Sequence, residues 1–294
     1  MNIEHIVLSG GGIKGIALLG ALNVLHEKQL LNNVKTYVGS SIGALVAALM
    51  CVGYTPIELY NVMSTLNPYE FKSIEPMKIL THFGFDSGCK IVQFLHTMIC
   101  IKTGNSNLSF KELHERYGKT LIVTGTCLNT GQTEYFNHET APDIDICDAV
   151  RLSISIPYMF SAVRYRDKIY VDGGILNNFP IDIMNDKENV LGIRLKSCDA
   201  NTNNEIETLE NFTIALVSCV INEIQKLRLD NSVHQNNVVY IDLKDVSSVQ
   251  FNLTPEKRQE IYDIGQATMQ EYILFKQQQE DVVEADGSEV HSQV

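Results

Sequence analysis

The stretch Val38-Gly39-Ser40-Ser41-Ile42-Gly43-Ala44 constrains this chain more than any other. Before it, Val34, Tyr37 and Val38 read as a short strand. After it, the Ala- and Leu-rich run from Ile42 to Val52 reads as a buried helix. Between them, Gly39-x-Ser41-x-Gly43 puts a serine on a sharp strand-to-helix turn. The two glycines let the strand and helix backbones approach without Cβ clashes, and the turn thrusts the hydroxyl out of the sheet. Ser41 then stands at a helix N-terminus, where free N–H groups and the helix dipole favour an anion such as a tetrahedral acyl adduct.

A second glycine cluster lies upstream. His5 to Ser9 reads as a strand that runs into Gly10-Gly11-Gly12-Ile13-Lys14-Gly15, and Ile16, Leu18, Leu19, Leu22 and Leu25 continue as a helical stripe. The spacing fits G-x-G-x-x-G, so a dinucleotide site is the rival reading. That site expects an acidic residue at the end of the second strand, where this chain has Gly39-Ser40-Ser41. A P-loop fails as well, because Lys14 is followed by Gly15 and Ile16. Three bare glycines also suit an oxyanion hole, in which backbone N–H groups converge on the charge that develops in acyl transfer. Lys14 in a first helical turn opposes the dipole. A salt bridge to a carboxylate and a grip on an anionic substrate group both remain open for it.

The serine needs a base. Of the histidines after Ser41, His234, just before a predicted strand, is the one placed to be considered. Asp172 is the stronger candidate. It ends the predicted strand Lys168 to Val171, and Gly173 and Gly174 free the backbone beyond it. A buried carboxylate has a raised pKa and can serve a serine as base. An Asp that only hydrogen-bonds its own turn is the alternative.

Strands alternating with helices imply a layered α/β/α sheet. Ser109 with Glu112 predicts a capping box, and Thr120 to Leu128 with Gln132 to Phe136 predicts a hairpin. Residues 67–89 lack a clean period and read as a lid or a connection. Ile206, Leu209, Leu216, Val220, Ile224 and Leu227 mark an amphipathic helix, as do Ile261, Ile264, Thr268, Tyr272 and Phe275. From Gln277 the chain is Gln-rich and acidic. The expected organisation is one domain over residues 1–275 and a disordered acidic tail over 276–294.

The net charge of −12 over 294 residues argues against nucleic acid as a partner and against electrostatic docking on anionic lipid. Seven scattered cysteines with no C-x-x-C pair fit reduced thiols in the cytoplasm. No signal peptide is expected, and the longest apolar run, Ile42 to Val52, is too short to span a bilayer.

Gly10-Gly11-Gly12-x-Lys14-Gly15, Gly39-x-Ser41-x-Gly43 and Asp172-Gly173-Gly174, in this order and at these separations, resemble the patatin-like phospholipase family. The segment Arg151-Leu-Ser153-Ile-Ser-Ile-Pro157-Tyr-Met-Phe160 resembles what that family carries before its Asp-Gly dipeptide. The likeness runs from about Ile3 to about Ile183 and weakens toward Phe275. The third residue of Asp-Gly-Gly is Ala in many members. The resemblance implies a three-layer α/β/α sandwich with a mostly parallel sheet, and a lipid acyl hydrolase that needs no cofactor, metal or catalytic histidine. Ser41 would be the nucleophile and Asp172 its proton acceptor. Gly10, Gly11 and Gly12 with the N–H of Ile42 would form the oxyanion hole, and Lys14, Gly15, Gly39, Gly43, Gly173 and Gly174 would support the motifs. The implied partners are a lipid ester substrate and, transiently, a membrane or lipid-aggregate surface. A general esterase or a vestigial site on the same fold is the alternative.

Overall fold

The computed structural model describes residues 1–65, 73, 79–196, 209–230, 232–243, 246 and 253–290. Along the first half run β1 (His5–Leu8), α1 (Gly15–Glu27), β2 (Thr36–Gly39), α2 (Ile42–Cys51), α3 (Pro56–Thr65), α4 (Ile79–His82), β3 (Gly84–Asp86), α5 (Cys89–Thr103), α6 (Phe110–Tyr117), β4 (Thr120–Cys127) and β5 (Gln132–Phe136). Then follow α7 (Ile146–Ser153), β6 (Tyr158–Phe160), β7 (Val163–Tyr165), β8 (Lys168–Asp172), α8 (Gly174–Asn177), β9 (Val190–Leu195), α9 (Leu209–Asp230), β10 (Val238–Ile241) and α10 (Pro255–Val290).

The main sheet has the order β10-β9-β1-β2-β4-β8-β7, with β5 paired to β4. From β10 to β4 every pairing is parallel; β5, β8 and β7 are antiparallel. A parallel centre must be covered on both faces, and its strands are accordingly mostly apolar. Ile6 and Leu8 face one core with α1 and α2, whereas Val7, Val38 and Ile122 face another with Phe179, Ile181 and Met184. Alternate residues of β1 thus enter opposite cores, which makes the molecule a three-layer α/β/α sandwich.

Helix α1 carries the contact that closes one side. A Cβ on its Gly20 would sit 2.1 Å from the Tyr262 carbonyl of α10, and one on Gly265 would sit 2.1 Å from the Ala17 carbonyl. The two helices meet backbone to backbone because both crossing points lack a side chain. Ile261, Tyr262, Met269 and Ile273 are the buried face of α10, whereas Phe275 is exposed.

The capping box of Ser109 and Glu112 forms, and so does the β4–β5 hairpin. Other elements differ from the sequence expectation. On α9, Leu216, Val220 and Leu227 are more than half exposed, so this apolar stripe does not face the core. Helix α10 runs through Gln277 to Val290 instead of ending there. Gln, Glu and Ala are good helix formers, and no proline interrupts them, so an established helix continues without needing apolar periodicity. The short strands β3 and β6, which pair with each other, carry no period that three residues could reveal. Residues 66–72 and 74–78, which take in about half of the lid-or-connection segment, lie outside the described residues. No helix among the described residues is long and apolar enough to cross a membrane.

Candidate active site

Strand β2 delivers Ser41. Its last residue, Gly39, pairs with Leu8 of β1 on one side and Val123 of β4 on the other. The chain then turns into α2 with Ser41 at φ 52°, a left-handed conformation that costs a non-glycine residue roughly 1–3 kcal/mol. The turn depends on its glycines. A Cβ on Gly39 would lie 2.4 Å from the Ala44 nitrogen, and one on Gly43 would lie 2.5 Å from the Leu8 carbonyl oxygen.

Asp172 arrives from a strand of opposite direction. β4 extends past the end of β2, and β8 runs back along that overhang until Asp172 pairs with Gly125, two residues beyond Val123. The carboxylate therefore comes level with the elbow. Ser41 Oγ donates to Asp172 Oδ2 at 2.7 Å, and Asp172 Oδ1 accepts from the Gly174 N–H at 2.7 Å. Both side chains are buried, with 7% of Ser41 and 5% of Asp172 exposed. Burial pushes the Asp172 carboxyl up to about 6, against the downward pull of the hydrogen bonds from Ser41 and Gly174.

The end of α7 clamps this pair. Ser153 Oγ accepts the Ser41 N–H at 2.9 Å, and the carbonyls of Ser155 and Ser153 accept the N–H groups of Asp172 and Gly173. Ser155 is itself held by Arg151, whose guanidinium donates to its hydroxyl and to the carbonyls of Ser87 and Ser161. No short-range sequence rule assigns these roles to Ser153, Ser155 and Arg151. The signal was the run Arg151 to Phe160, legible only as a family likeness.

The first glycine cluster lies beside the serine. A Cβ on Gly10 would come 3.1 Å from Ser41 Cβ, and one on Gly15 would strike Ile42. Gly10 differs from its expected use, because its N–H already donates to the Asn178 carbonyl at 2.9 Å. Gly11 caps and Gly12 opens the single 3₁₀ turn that leads into α1. Ile42 opens α2, where helix geometry supplies no acceptor four residues back. Asn178, which also returns a side-chain N–H to the Gly10 carbonyl at 3.4 Å, was not marked by any motif. Gly174 packs against Asn178 and Asp172, and Gly173 against Thr124.

Lys14 is buried, with Nζ 3.4 Å from the Lys196 carbonyl oxygen. His234 is buried elsewhere: its Nε2 donates to the Met184 carbonyl at 2.7 Å, in the wall of the second core.

A family model described as patatin-like phospholipase matches residues 6–185. A "probable lipid hydrolase" of Invertebrate iridescent virus 6 is 36% identical over 186 residues, a match that covers 61% of this chain and 62% of that protein. "Triacylglycerol lipase 5" of Saccharomyces cerevisiae is 28% identical over 251 residues, covering 75% of this chain and 32% of the lipase. Among solved structures, VipD from Legionella pneumophila superposes with a TM-score of 0.60 at 18% identity, over 92% of this chain and 66% of that one. The chain thus spans less than two thirds of the length of each of these relatives.

Proposed function

The chain belongs to the patatin-like phospholipase family, a family of lipid hydrolases, and from that premise we propose that it cleaves carboxylic esters of phospholipids or other glycerolipids through a dyad of Ser41 and Asp172. The observation that carries this reading is the 2.7 Å hydrogen bond from the Ser41 hydroxyl to a buried carboxylate whose pKa stands near 6. A base must be ionised at working pH yet basic enough to take a proton, and burial moves Asp172 toward that balance.

In the proposed mechanism, Ser41 Oγ attacks the ester carbonyl as its proton passes to Asp172. The N–H groups of Gly11, Gly12 and Ile42 receive the oxyanion; Gly10, already bonded to Asn178, shapes the loop. Collapse of the adduct expels the alcohol, which takes the proton from Asp172, and leaves an acyl group on Ser41. Water attacks the acyl-enzyme with Asp172 again as proton acceptor, and the fatty acid leaves. No step uses a histidine. Lipid reaches the site from a membrane or aggregate surface. With a net charge of −12, that encounter rests on apolar contact more than on attraction to anionic lipid. Six described cysteines are free, which suits a reducing, cytoplasmic setting.

The test is to incubate the pure protein with a mixed phospholipid and glyceride panel and follow fatty-acid release. Ser41→Ala and Asp172→Asn should each abolish release while melting as cooperatively as the parent, and His234→Ala should retain it. An active Ser41→Ala protein, or a parent inert on every ester, would sink the assignment.

A further inference from the structure

Away from Ser41, one group of metal-binding side chains converges among the described residues. His96 comes from α5, Asp145 caps α7 and Cys147 lies in the first turn of α7. One ligand atom of each lies within 4.8 Å of the other two. A tetrahedral ion with bonds of about 2.0–2.3 Å to nitrogen, oxygen and sulfur holds its donors roughly 3.5 Å apart, so the three side chains close by about 1 Å at most to take it.

Two further observations concern the donors themselves. His96 Nδ1 faces the Ser106 carbonyl oxygen at 2.5 Å. A carbonyl only accepts, so Nδ1 carries the hydrogen and Nε2 keeps its lone pair. Metal-ligating histidines are commonly oriented by such a bond from the other ring nitrogen. Beside Asp145 and Cys147 stands the carboxylate of Asp148, a further negative charge. The pocket is therefore biased toward a cation.

We infer that His96, Asp145 and Cys147 form a structural site for a divalent cation of the zinc type, with water as the fourth ligand. A carboxylate, a thiolate and a neutral imidazole together balance a charge of two. Binding releases the Cys147 thiol proton to solvent. His96 and Asp145 are partly exposed and give the ion a way in, whereas Cys147 is buried. The bound ion ties α5 to the start of α7, the helix whose other end holds Ser41 through Ser153. Its role is to stiffen the scaffold, and it takes no part in ester chemistry.

The full-length protein, stripped with a chelator, is titrated with Co²⁺ and separately with Zn²⁺. The expected result is one equivalent of Co²⁺ with a near-ultraviolet thiolate-to-cobalt band, displaced by Zn²⁺, and a melting temperature raised by Zn²⁺. Cys147→Ser should lose the band. Asp145→Asn keeps a capping oxygen and should weaken Co²⁺ binding by at least about tenfold. His96→Gln should do the same, so the test stands even where Cys147→Ser folds poorly. Turnover of a soluble ester should be unchanged by Zn²⁺. Absence of a saturable band, or a band retained in Cys147→Ser or undiminished in both ligand variants, overturns the site.

Discussion

The backbone amide of Ser41 donates to the hydroxyl of Ser153 at 2.9 Å, across 112 positions of sequence. A residue held at φ 52° is thereby pinned to the last turn of α7. Ser153→Ala removes the acceptor and leaves a buried N–H unpaired, which costs about 1–3 kcal/mol. The serine hydroxyl also loses its fixed aim. Turnover should fall about tenfold to a hundredfold with little change in KM, and melting should drop by a few degrees. Paired kinetics and calorimetry check this; full activity in Ser153→Ala would show that the elbow holds itself.

Asp172 should set the acid limb of the pH profile. As a base it must be ionised, so kcat/KM should fall about tenfold per unit below a pH of about 6 and level off above it. Stability runs the other way. The folded pKa is raised above the ordinary 3.8, so the proton stabilises the fold; that contribution is full below about pH 4 and lost as pH rises through about 6. Asp172→Asn should therefore be inactive yet more stable than the parent at pH 7, by up to about 3 kcal/mol. The difference should vanish near pH 4. Melting both proteins across that range decides it, and an unchanged or reversed gap would refute the assignment.

Gly11→Ala tests the glycine cluster. The new methyl would meet the Leu195 Cδ1 atom at 2.6 Å, the end of a flexible side chain. The N–H survives but is displaced, and an oxyanion donor acts mainly in the transition state. Turnover should fall tenfold or more, bounded by the roughly hundredfold to thousandfold loss of a whole donor, with KM nearly constant. An effect confined to nucleotide binding would instead favour the dinucleotide reading.

Gly265→Ala separates scaffold from chemistry. Its methyl would meet the Ala17 carbonyl, which is backbone and cannot swing aside. The helices α1 and α10 must part, at a cost of about 1–3 kcal/mol. The melting temperature should fall while kcat per folded molecule holds. Loss of kcat without loss of stability would contradict this separation.

We propose that residues 1–275 suffice for catalysis. Removal of 277–294 keeps Lys276, which donates to Asn237, and the buried face of α10. Soluble-ester turnover should match the full chain. On anionic vesicles it should be equal or higher at low salt, the gap closing as the screening length shrinks below about 10 Å near 0.1 M. Unfolding or loss of soluble-ester activity on truncation would show that the segment packs on the domain.

What the sequence determined alone was local. Gly39-x-Ser41-x-Gly43 and the run Gly10 to Gly15 specify turns between a strand and a helix, because backbone approach and free N–H groups depend on neighbours a few residues away. The alternation of strands and helices was legible for the same reason, and so were the Ser109 capping box and the β4–β5 hairpin. Tertiary structure decided what depends on register and direction. Asp172 reaches Ser41 because β8 runs antiparallel along β4 and stops opposite Gly125. Gly10 gives its N–H to Asn178, and Ser153 takes that of Ser41, through contacts between residues far apart in the chain. The exposed stripe of α9 and the helix beyond Gln277 show the limit from the other side: periodicity states which face could be buried, and only the packing of neighbouring elements states whether anything buries it.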